Sequence, residues 1–184
     1  MKTIVNILTG DQGEVKKFIL ANVDINCRDR NCKSTPLHMA AKGNHIEVVE
    51  TLLKHGADIT LRDVRKYFTL CVFHFGFFLL LSYRSHTYIQ KEGETPLHEA
   101  TDSNAIHVAE ILIQKGAPLD VQDEMGWSAL HNAAGCGDHP EIVSLLLKAG
   151  ANRHLKTKSG ETALDLAVKN EHPKAEKLLK EPSP

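Results

Sequence analysis

The chain has 184 residues, 22 basic and 23 acidic side chains, a net charge of −1 and 42% hydrophobic residues. This length is enough for one domain with a hydrophobic core, and the near-neutral charge disfavours nucleic acid or an anionic membrane surface as the main ligand. The four Cys residues show no zinc-ligand spacing, which favours unrelated thiols in a reducing compartment. The first eight residues are too short an apolar run for a signal peptide. We therefore expect a cytoplasmic protein, with the nucleus as the alternative compartment.

Residues 1–28 are predicted to form half of a helical unit. Gly10 and Asp11 open a helix that carries Val15, Phe18 and Ile19 on one face, which is the spacing of an amphipathic helix. The residues before Gly10 are expected to form a short first helix.

A helix-start motif then occurs four times. Thr or Ser supplies an N-cap oxygen, Pro or Ala takes the first helical position, and Leu and small Ala residues follow. The capping residues are Thr35, Thr95, Ser128 and Thr162, and the intervals between them are 60, 33 and 34 residues. Two intervals indicate a repeat of about 33 residues, and the first interval is 27 residues too long.

Each helix start is followed by a short turn and a second, apolar helix that ends at a glycine, such as Gly56, Gly116 or Gly150. The second helix of the last unit, residues 173–180, is polar, as a terminal unit with one face in water requires. The predicted units are 29–62, then 63 with 91–122, then 123–156, then the capping unit 157–180 and the tail 181–184.

These motifs resemble the ankyrin repeat family. The shared features are the Thr-Pro-Leu-His-x-Ala openings at Thr35 and Thr95, the Gly-Ala-Asp ending at Gly56, and the period near 33. The resemblance covers residues 10–180 except 64–90, with departures that include Ser128 and Ala129 for Thr-Pro and Asp165 for His. It implies one all-α domain, a solenoid of stacked helix-turn-helix pairs whose junction loops project at right angles to the helices.

Residues 64–90 do not belong to the repeat. They contain all three Tyr residues and five of the six Phe residues of the chain. Their removal joins Asp63 to Lys91 and restores the 33-residue spacing, with the segment Asp63–Gly93 then matching Asp123–Gly126.

Three interpretations of this insertion remain open. Residues 67–83 are at the lower length limit for a membrane span, but a span would put stacked repeats on opposite sides of a bilayer, so membrane association is disfavoured. The second interpretation is a Phe-rich loop that binds a partner or a membrane surface. The third is a translated intron or gene-model error, because Val64 and Arg65 can be encoded by a splice-donor sequence, Gln90 by a splice acceptor, and the residues between by pyrimidine-rich codons.

The eleven histidines invite a metal or catalytic interpretation, but His38, His98 and His131 share one repeat position beside a capping residue. We expect each ring to bond the capping hydroxyl and nearby backbone. No phosphate-binding loop, zinc motif or nucleophile elbow occurs, so the sequence predicts no cofactor, no metal and no enzyme activity. Cys136, between two glycines, could be a reactive thiol, but a plain structural role is favoured.

Asn26 resembles the asparagine that hydroxylases modify in ankyrin proteins. The alternative is an asparagine that stabilises its loop.

The unrepeated positions of a solenoid are available for partner contacts. The resemblance implies that these are the loop tips and the exposed ends of the first helices, and that the function is to bind a protein partner as a monomeric, non-catalytic adaptor, scaffold or inhibitor. The alternative is a targeting or regulatory region of a larger enzyme or channel.

Trp127 is expected to anchor the partner, although local packing of its ring is an open alternative. The predicted contact residues are Lys42, Glu94, Asp102, Ser103, Glu124, Met125, Trp127, Cys136 and Glu161, and carboxylates near Trp127 suggest a partner with basic groups.

Overall fold

The structure, a computed structural model, describes residues 10–29, 33–63 and 93–181. All regular elements of these residues are helices, which confirms the predicted all-α class. The predicted helix before Gly10 and the insertion 64–90 lie outside the described residues. The helices are α1 (Gln12–Leu20), α2 (Pro36–Lys42), α3 (Ile46–Lys54), α4 (Pro96–Asp102), α5 (Ile106–Gln114), α6 (Ala129–Gly135), α7 (Pro140–Lys148), α8 (Ala163–Lys169) and α9 (Pro173–Lys180).

The helices form two layers. The first helices of the pairs, α2, α4, α6 and α8, pack side by side in chain order, and each packs on the second helix that follows it. The second helices α3, α5, α7 and α9 make the other layer, and α1 packs against α3 at the start of the stack. A stack in which each pair contacts only its neighbours is the arrangement expected of a solenoid.

Small and branched side chains explain the close packing between the layers. The inner-layer positions Ala40, Ala100 and Ala133 are fully buried and let neighbouring helices approach closely. Leucines on both layers then fill the core. The fully buried leucines are Leu37, Leu52, Leu97, Leu112, Leu130 and Leu146.

The turn inside a helix pair needs a left-handed residue in three of the repeats. Asn44 and Asn104 take this conformation with φ of 54° and 52° between the two helices of their pairs, and Asn tolerates it better than most residues do. In the last pair Glu171 adopts the same conformation, with φ of 59°. A charged residue with no special preference for this region is therefore strained there.

The junction loops follow one plan. In each loop the backbone N–H of the first residue donates to the carbonyl of the residue that closes the loop, and these bonds are 2.8–3.0 Å long. The pairs are Asp29 to Ser34, Asp63 to Glu94, Asp123 to Trp127 and Thr157 to Glu161. The loops of successive repeats are thus closed by the same kind of backbone bond, which spans five residues in the first loop and four in the last two.

Side chains link one loop to the next. The Arg28 guanidinium donates to the Arg62 carbonyl at 2.7 Å, Arg62 donates to the Gln122 carbonyl at 2.7 Å, and Gln122 donates to the Lys156 carbonyl at 2.8 Å. Each residue therefore bonds the backbone of its equivalent in the next unit. Within the described ranges, no helix has the length and apolar character needed to cross a membrane.

Candidate functional site

Three histidines hold the starts of the inner helices. In α2, the Nδ1 atom of His38 accepts from the Thr35 N–H and lies 2.8 Å from the Thr35 hydroxyl. Because Nδ1 accepts a backbone proton, we assign the ring proton to Nε2, which donates to the carbonyl of Glu94 in the next repeat at 3.0 Å. One ring therefore caps its own helix and binds the adjacent repeat.

The same bonds recur in the next two repeats. His98 lies 2.8 Å from the Thr95 hydroxyl and 3.1 Å from the Trp127 carbonyl. His131 lies 2.8 Å from the Ser128 hydroxyl and 3.2 Å from the Leu155 carbonyl. Both nitrogens of each ring are engaged in structural bonds, which makes these imidazoles poor candidates for a metal or for proton transfer.

The last repeat uses a carboxylate where the others use an imidazole. Asp165 accepts from the Thr162 N–H at 2.8 Å and from its hydroxyl at 2.7 Å. A carboxylate satisfies the helix start locally but has no donor for a further carbonyl. Since α8 has no inner helix beyond it in the described chain, a bond to the next repeat, such as the histidines make through Nε2, is not needed there.

The position of Glu94 differs from the prediction. The repeat pattern predicts an exposed side chain at this loop position, but Glu94 is only 1% exposed. Its N–H donates to Asp63 Oδ1 at 2.9 Å, and its carboxylate accepts from the Asn132 amide at 3.3 Å. The stacking of the repeats brings Asn132 over it, so its side chain cannot contact another protein without rearrangement.

A cluster of buried carboxylates surrounds this position. Side-chain oxygens of Asp63, Glu94 and Glu99 lie within 4.8 Å of one another. Such oxygens are the ligands that hard cations prefer, but a group of acidic side chains alone is not evidence of a metal. No sequence motif marks the cluster, because the insertion separates Asp63 from the other two members in the chain.

The loop between α5 and α6, residues 123–127, is held by hydrogen bonds. The Asp123 carboxylate accepts from the N–H groups of Met125 and Trp127 at 2.8 and 2.7 Å. The Met125 carbonyl accepts from the N–H of Lys158 in the next loop at 2.9 Å. Gly126 has φ of +79°, and a Cβ there would lie 2.7 Å from the Lys158 nitrogen. On the other side, the ring of His98 in the preceding repeat bonds the Trp127 carbonyl at 3.1 Å. The loop is thus bonded on both sides and has no room for a side chain at Gly126.

Among the described residues, Met125 is an exposed apolar residue that its place in the stack does not explain. Val168, in the last inner helix, is 51% exposed, whereas its equivalents in earlier repeats are buried, because a terminal unit has a neighbour on one side only. The exposed Leu20 and Val23 lie in the first described unit. Met125 is 41% exposed but belongs to an internal repeat, so the end of the stack does not account for it.

Trp127 is half-buried, with its ring over the end of its own inner helix. A Cβ built on Gly135 would lie 3.0 and 3.1 Å from Cζ3 and Cη2 of the indole, and 3.4 Å from Cδ1 of Leu166. The indole centroid is 6.5 Å from that of His131. The ring is therefore packed locally and also retains part of its surface in solvent.

The other predicted contact residues differ in exposure. Lys42, Asp102, Ser103 and Glu124 are exposed, and Cys136 and Glu161 are half-buried. Glu161 pairs with Lys169 at 2.7 Å, and this bond, followed by that from Ser159, lowers the pKa of the Glu161 carboxyl. The structure thus places Met125, Trp127 and Glu161 on adjoining loops, and it removes Glu94 from the surface.

Asn26 joins two loops. Its side-chain oxygen accepts from the Asp58 N–H at 2.8 Å, as Asp120 does from the Asn152 N–H at 2.9 Å. This bond supports the loop-stabilising interpretation of Asn26.

A shallow groove lies on the outer layer, where the sequence predicts no site. It has a volume of about 410 Å³ and lies between α3 and α5, lined by Ile46, His107, Glu110, Ile111 and Gln114. No motif in the sequence marks it, because its lining residues come from helices in different repeats.

Comparisons with known proteins agree with the repeat pattern. A family model described as ankyrin repeats in three copies matches residues 7–123 and 115–183. Inversin from Canis lupus familiaris is 29% identical over 91% of this chain, and the phosphocholine transferase AnkX of Legionella pneumophila is 28% identical over 90% of it. A Caenorhabditis elegans homologue of the transient receptor potential cation channel subfamily A member 1 is 30% identical over 84% of this chain. The matched regions are 16%, 18% and 10% of these three proteins, so the chain spans less than a fifth of each.

Proposed function

Because this chain belongs to the ankyrin repeat family, whose repeats are generally protein-interaction modules, we propose that it binds a protein partner through the loop 123–127 and the inner layer of the stack. The observation that supports this best is the exposed side chain of Met125 on a loop that is bonded on both sides. An apolar side chain held in water costs solvation free energy, which a partner recovers by covering it.

Trp127 extends the same contact. Its backbone is fixed by Asp123 and by His98, and its ring is supported by the end of α6. A rigid aromatic residue loses little conformational entropy on binding, which is why Trp is enriched among residues that dominate interface energies. Of the other predicted contact residues, Asp102, Ser103, Glu124, Cys136 and Glu161 lie on the same or adjoining repeats and would flank this centre. Lys42, at the end of α2, would extend the surface along the inner layer.

We place no catalytic step in the chain, since ankyrin repeats are non-catalytic modules. AnkX carries the name of a transferase, but this chain matches only 18% of it. A small, separate adaptor or inhibitor is our first choice, acting as a monomer. The alternative is an ankyrin region of a larger enzyme or channel, and the small share of each relative that the chain covers is the observation that supports it. A longer transcript that continues the reading frame would favour this alternative.

The proposed compartment is the cytoplasm, with the nucleus as the alternative. Among the described cysteines, Cys27 and Cys136 are not in disulfides. Burial, followed by the charge of Asp24, raises the pKa of the Cys27 thiol and so disfavours its reactive thiolate.

The binding surface can be tested before the partner is identified. A photoreactive methionine analogue at position 125 would crosslink the bound protein in cells, and mass spectrometry would identify it. The affinity of that protein would then be measured for the full chain, for Trp127→Ala and for Lys115→Ala, a control at an exposed position on the outer layer.

We expect Trp127→Ala to weaken binding by about 2 kcal/mol or more and Lys115→Ala to leave it unchanged. Equal affinities of the Trp127→Ala variant and the unmodified chain would remove Trp127 from the interface. A matching loss in both variants would point to the outer layer instead.

A further inference from the structure

The last residues of the inner helices form a row across the stack. Lys42, Asp102, Gly135 and Lys169 end α2, α4, α6 and α8, and these helices pack against one another in that order. Three of the four positions carry an exposed charged side chain. Gly135 is the exception, and it lies in the repeat that contains Trp127.

The backbone does not require glycine at position 135. Gly135 is not among the glycines with positive φ, so an L-residue can adopt its conformation. Gly135 is the last residue of α6, so the cost of about 1 kcal/mol that glycine has in a helix interior does not apply in full there, and local propensity does not select glycine either. Its surroundings supply a reason for glycine.

Those surroundings are the indole of Trp127. A Cβ on Gly135 would lie 3.0 and 3.1 Å from two ring carbons, closer than an ordinary van der Waals contact. Every other residue, including the lysine or aspartate of the equivalent positions, would place this Cβ against the ring. The ring takes this place because the side chain is missing.

We propose that Gly135 is a positioning residue that lets the Trp127 indole pack on the inner face at the end of α6. At this position of the row the chain therefore presents an aromatic surface, where the other repeats present a charged side chain. This inference rests on the proposed function and adds the partner chemistry at one position. The partner group opposite this step is uncharged and apolar, whereas groups opposite Lys42 and Asp102 can carry complementary charge. A seated ring also binds without first being ordered.

Fluorescence tests the seating directly, because Trp127 is the only Trp in the chain. We would measure the emission maximum and the quenching by acrylamide for the full chain, Gly135→Lys, Gly135→Ala and the control Lys42→Ala, which changes the same row away from the ring. Circular dichroism would verify that each variant is folded.

We expect Gly135→Lys to move the emission to longer wavelength and to increase quenching, because the lysine displaces the ring into water. Gly135→Ala should shift both quantities less and in the same direction, and it keeps the test valid if the lysine variant does not fold. Lys42→Ala should change neither. Folded Gly135 variants with unchanged emission and quenching would overturn the proposal.

This outcome is separable from that of the proposed function. The fluorescence measurement needs no partner, so it decides the role of Gly135 even if Trp127 proves not to contact another protein. Conversely, an affinity loss in Trp127→Ala with no spectral change in the Gly135 variants would support the binding function and contradict the seating.

Discussion

The N–H of Gly93 donates to the carbonyl of Asp63 at 3.0 Å, although residues 64–92 separate the two in the chain. The Asp63 carboxylate accepts from the Glu94 N–H at 2.9 Å. Asp123 makes the corresponding bonds to Gly126 and Trp127 within an uninterrupted loop. The residues that flank 64–92 therefore close this junction with the same bonds as the uninterrupted loop.

The first prediction concerns removal of residues 64–90. The shortened chain keeps Lys91 and Glu92 between Asp63 and Gly93, which is the loop length of Asp123–Gly126. Because the junction bonds are already closed, we expect a cooperative thermal transition, followed by circular dichroism, at no lower temperature. A lost or broadened transition would show that the segment contributes to the stack.

Asp63→Ala provides the control for this deletion. Loss of the buried acceptor of the Glu94 N–H should cost about 1–3 kcal/mol. If the junction is the same in both chains, the full-length and shortened forms should lose equal amounts in urea unfolding. Unequal losses would mean that the deletion changes the loop.

The second prediction tests the bonds between repeats made by the histidines. His98→Ala removes the acceptor of the Thr95 N–H and the donor to the Trp127 carbonyl. The unsatisfied buried groups and the cavity should together lower the free energy of unfolding by about 2–4 kcal/mol. His107→Ala, at an exposed position, should change it by less than about 0.5 kcal/mol. Urea titrations of both variants measure the difference, and similar values for the two would contradict the structural role of His98.

The sequence predicts the helix starts well because the required interactions are local. The first turn of α2 is specified by three residues that are close in the chain, Thr35, Pro36 and His38. The same holds at Thr95. The fold class follows because four such starts, with a spacing of 33 or 34 residues in two of the three intervals, indicate a stack.

The sequence predicts the candidate site less well because its environment is assembled from distant residues. Glu94 occupies a loop position that is exposed in the repeat pattern, but Asn132, 38 residues away, covers its carboxylate. The seat of Trp127 likewise depends on Gly135 and on Leu166 of the next repeat. Such contacts become visible only when the register between repeats is known.

The third prediction uses the strained turn of the last repeat. Glu171 has φ of 59°, a conformation that costs most L-residues about 1–2 kcal/mol. Glu171→Gly removes this strain but adds unfolded-state entropy, so a net gain of up to about 1 kcal/mol is expected. The melting temperature should rise.

Gly116→Ala is the opposite case. Gly116 has φ of +84° and nothing lies within 4 Å of an added Cβ, so the substitution introduces backbone strain without a clash. We expect a loss of about 1 kcal/mol. Destabilisation by Glu171→Gly would indicate that the Glu171 side chain contributes more than its backbone costs.

The fourth prediction is a loss of stability in mild acid. Burial lowers the pKa of His131, and burial followed by the charge of His172 lowers the pKa of His139, against the opposing effects of Asp138, Asp102 and Glu141. The unfolded chain, whose histidines have a pKa near the ordinary value of 6.5, takes up protons at a higher pH than the folded chain. The free energy of unfolding should therefore fall as the pH drops below about 6.5, and the fall should end below the folded-state pKa values.

Urea midpoints measured at two pH values, one above and one below this pKa, test the expectation, and the lower midpoint should occur at the acidic pH. His139→Gln removes one of the two titrating groups and should reduce the difference between the midpoints, whereas Lys115→Ala should leave the difference unchanged. A pH-independent midpoint in the unmodified chain would contradict the sign of both shifts. An undiminished difference in His139→Gln would assign the effect to His131 or to other groups.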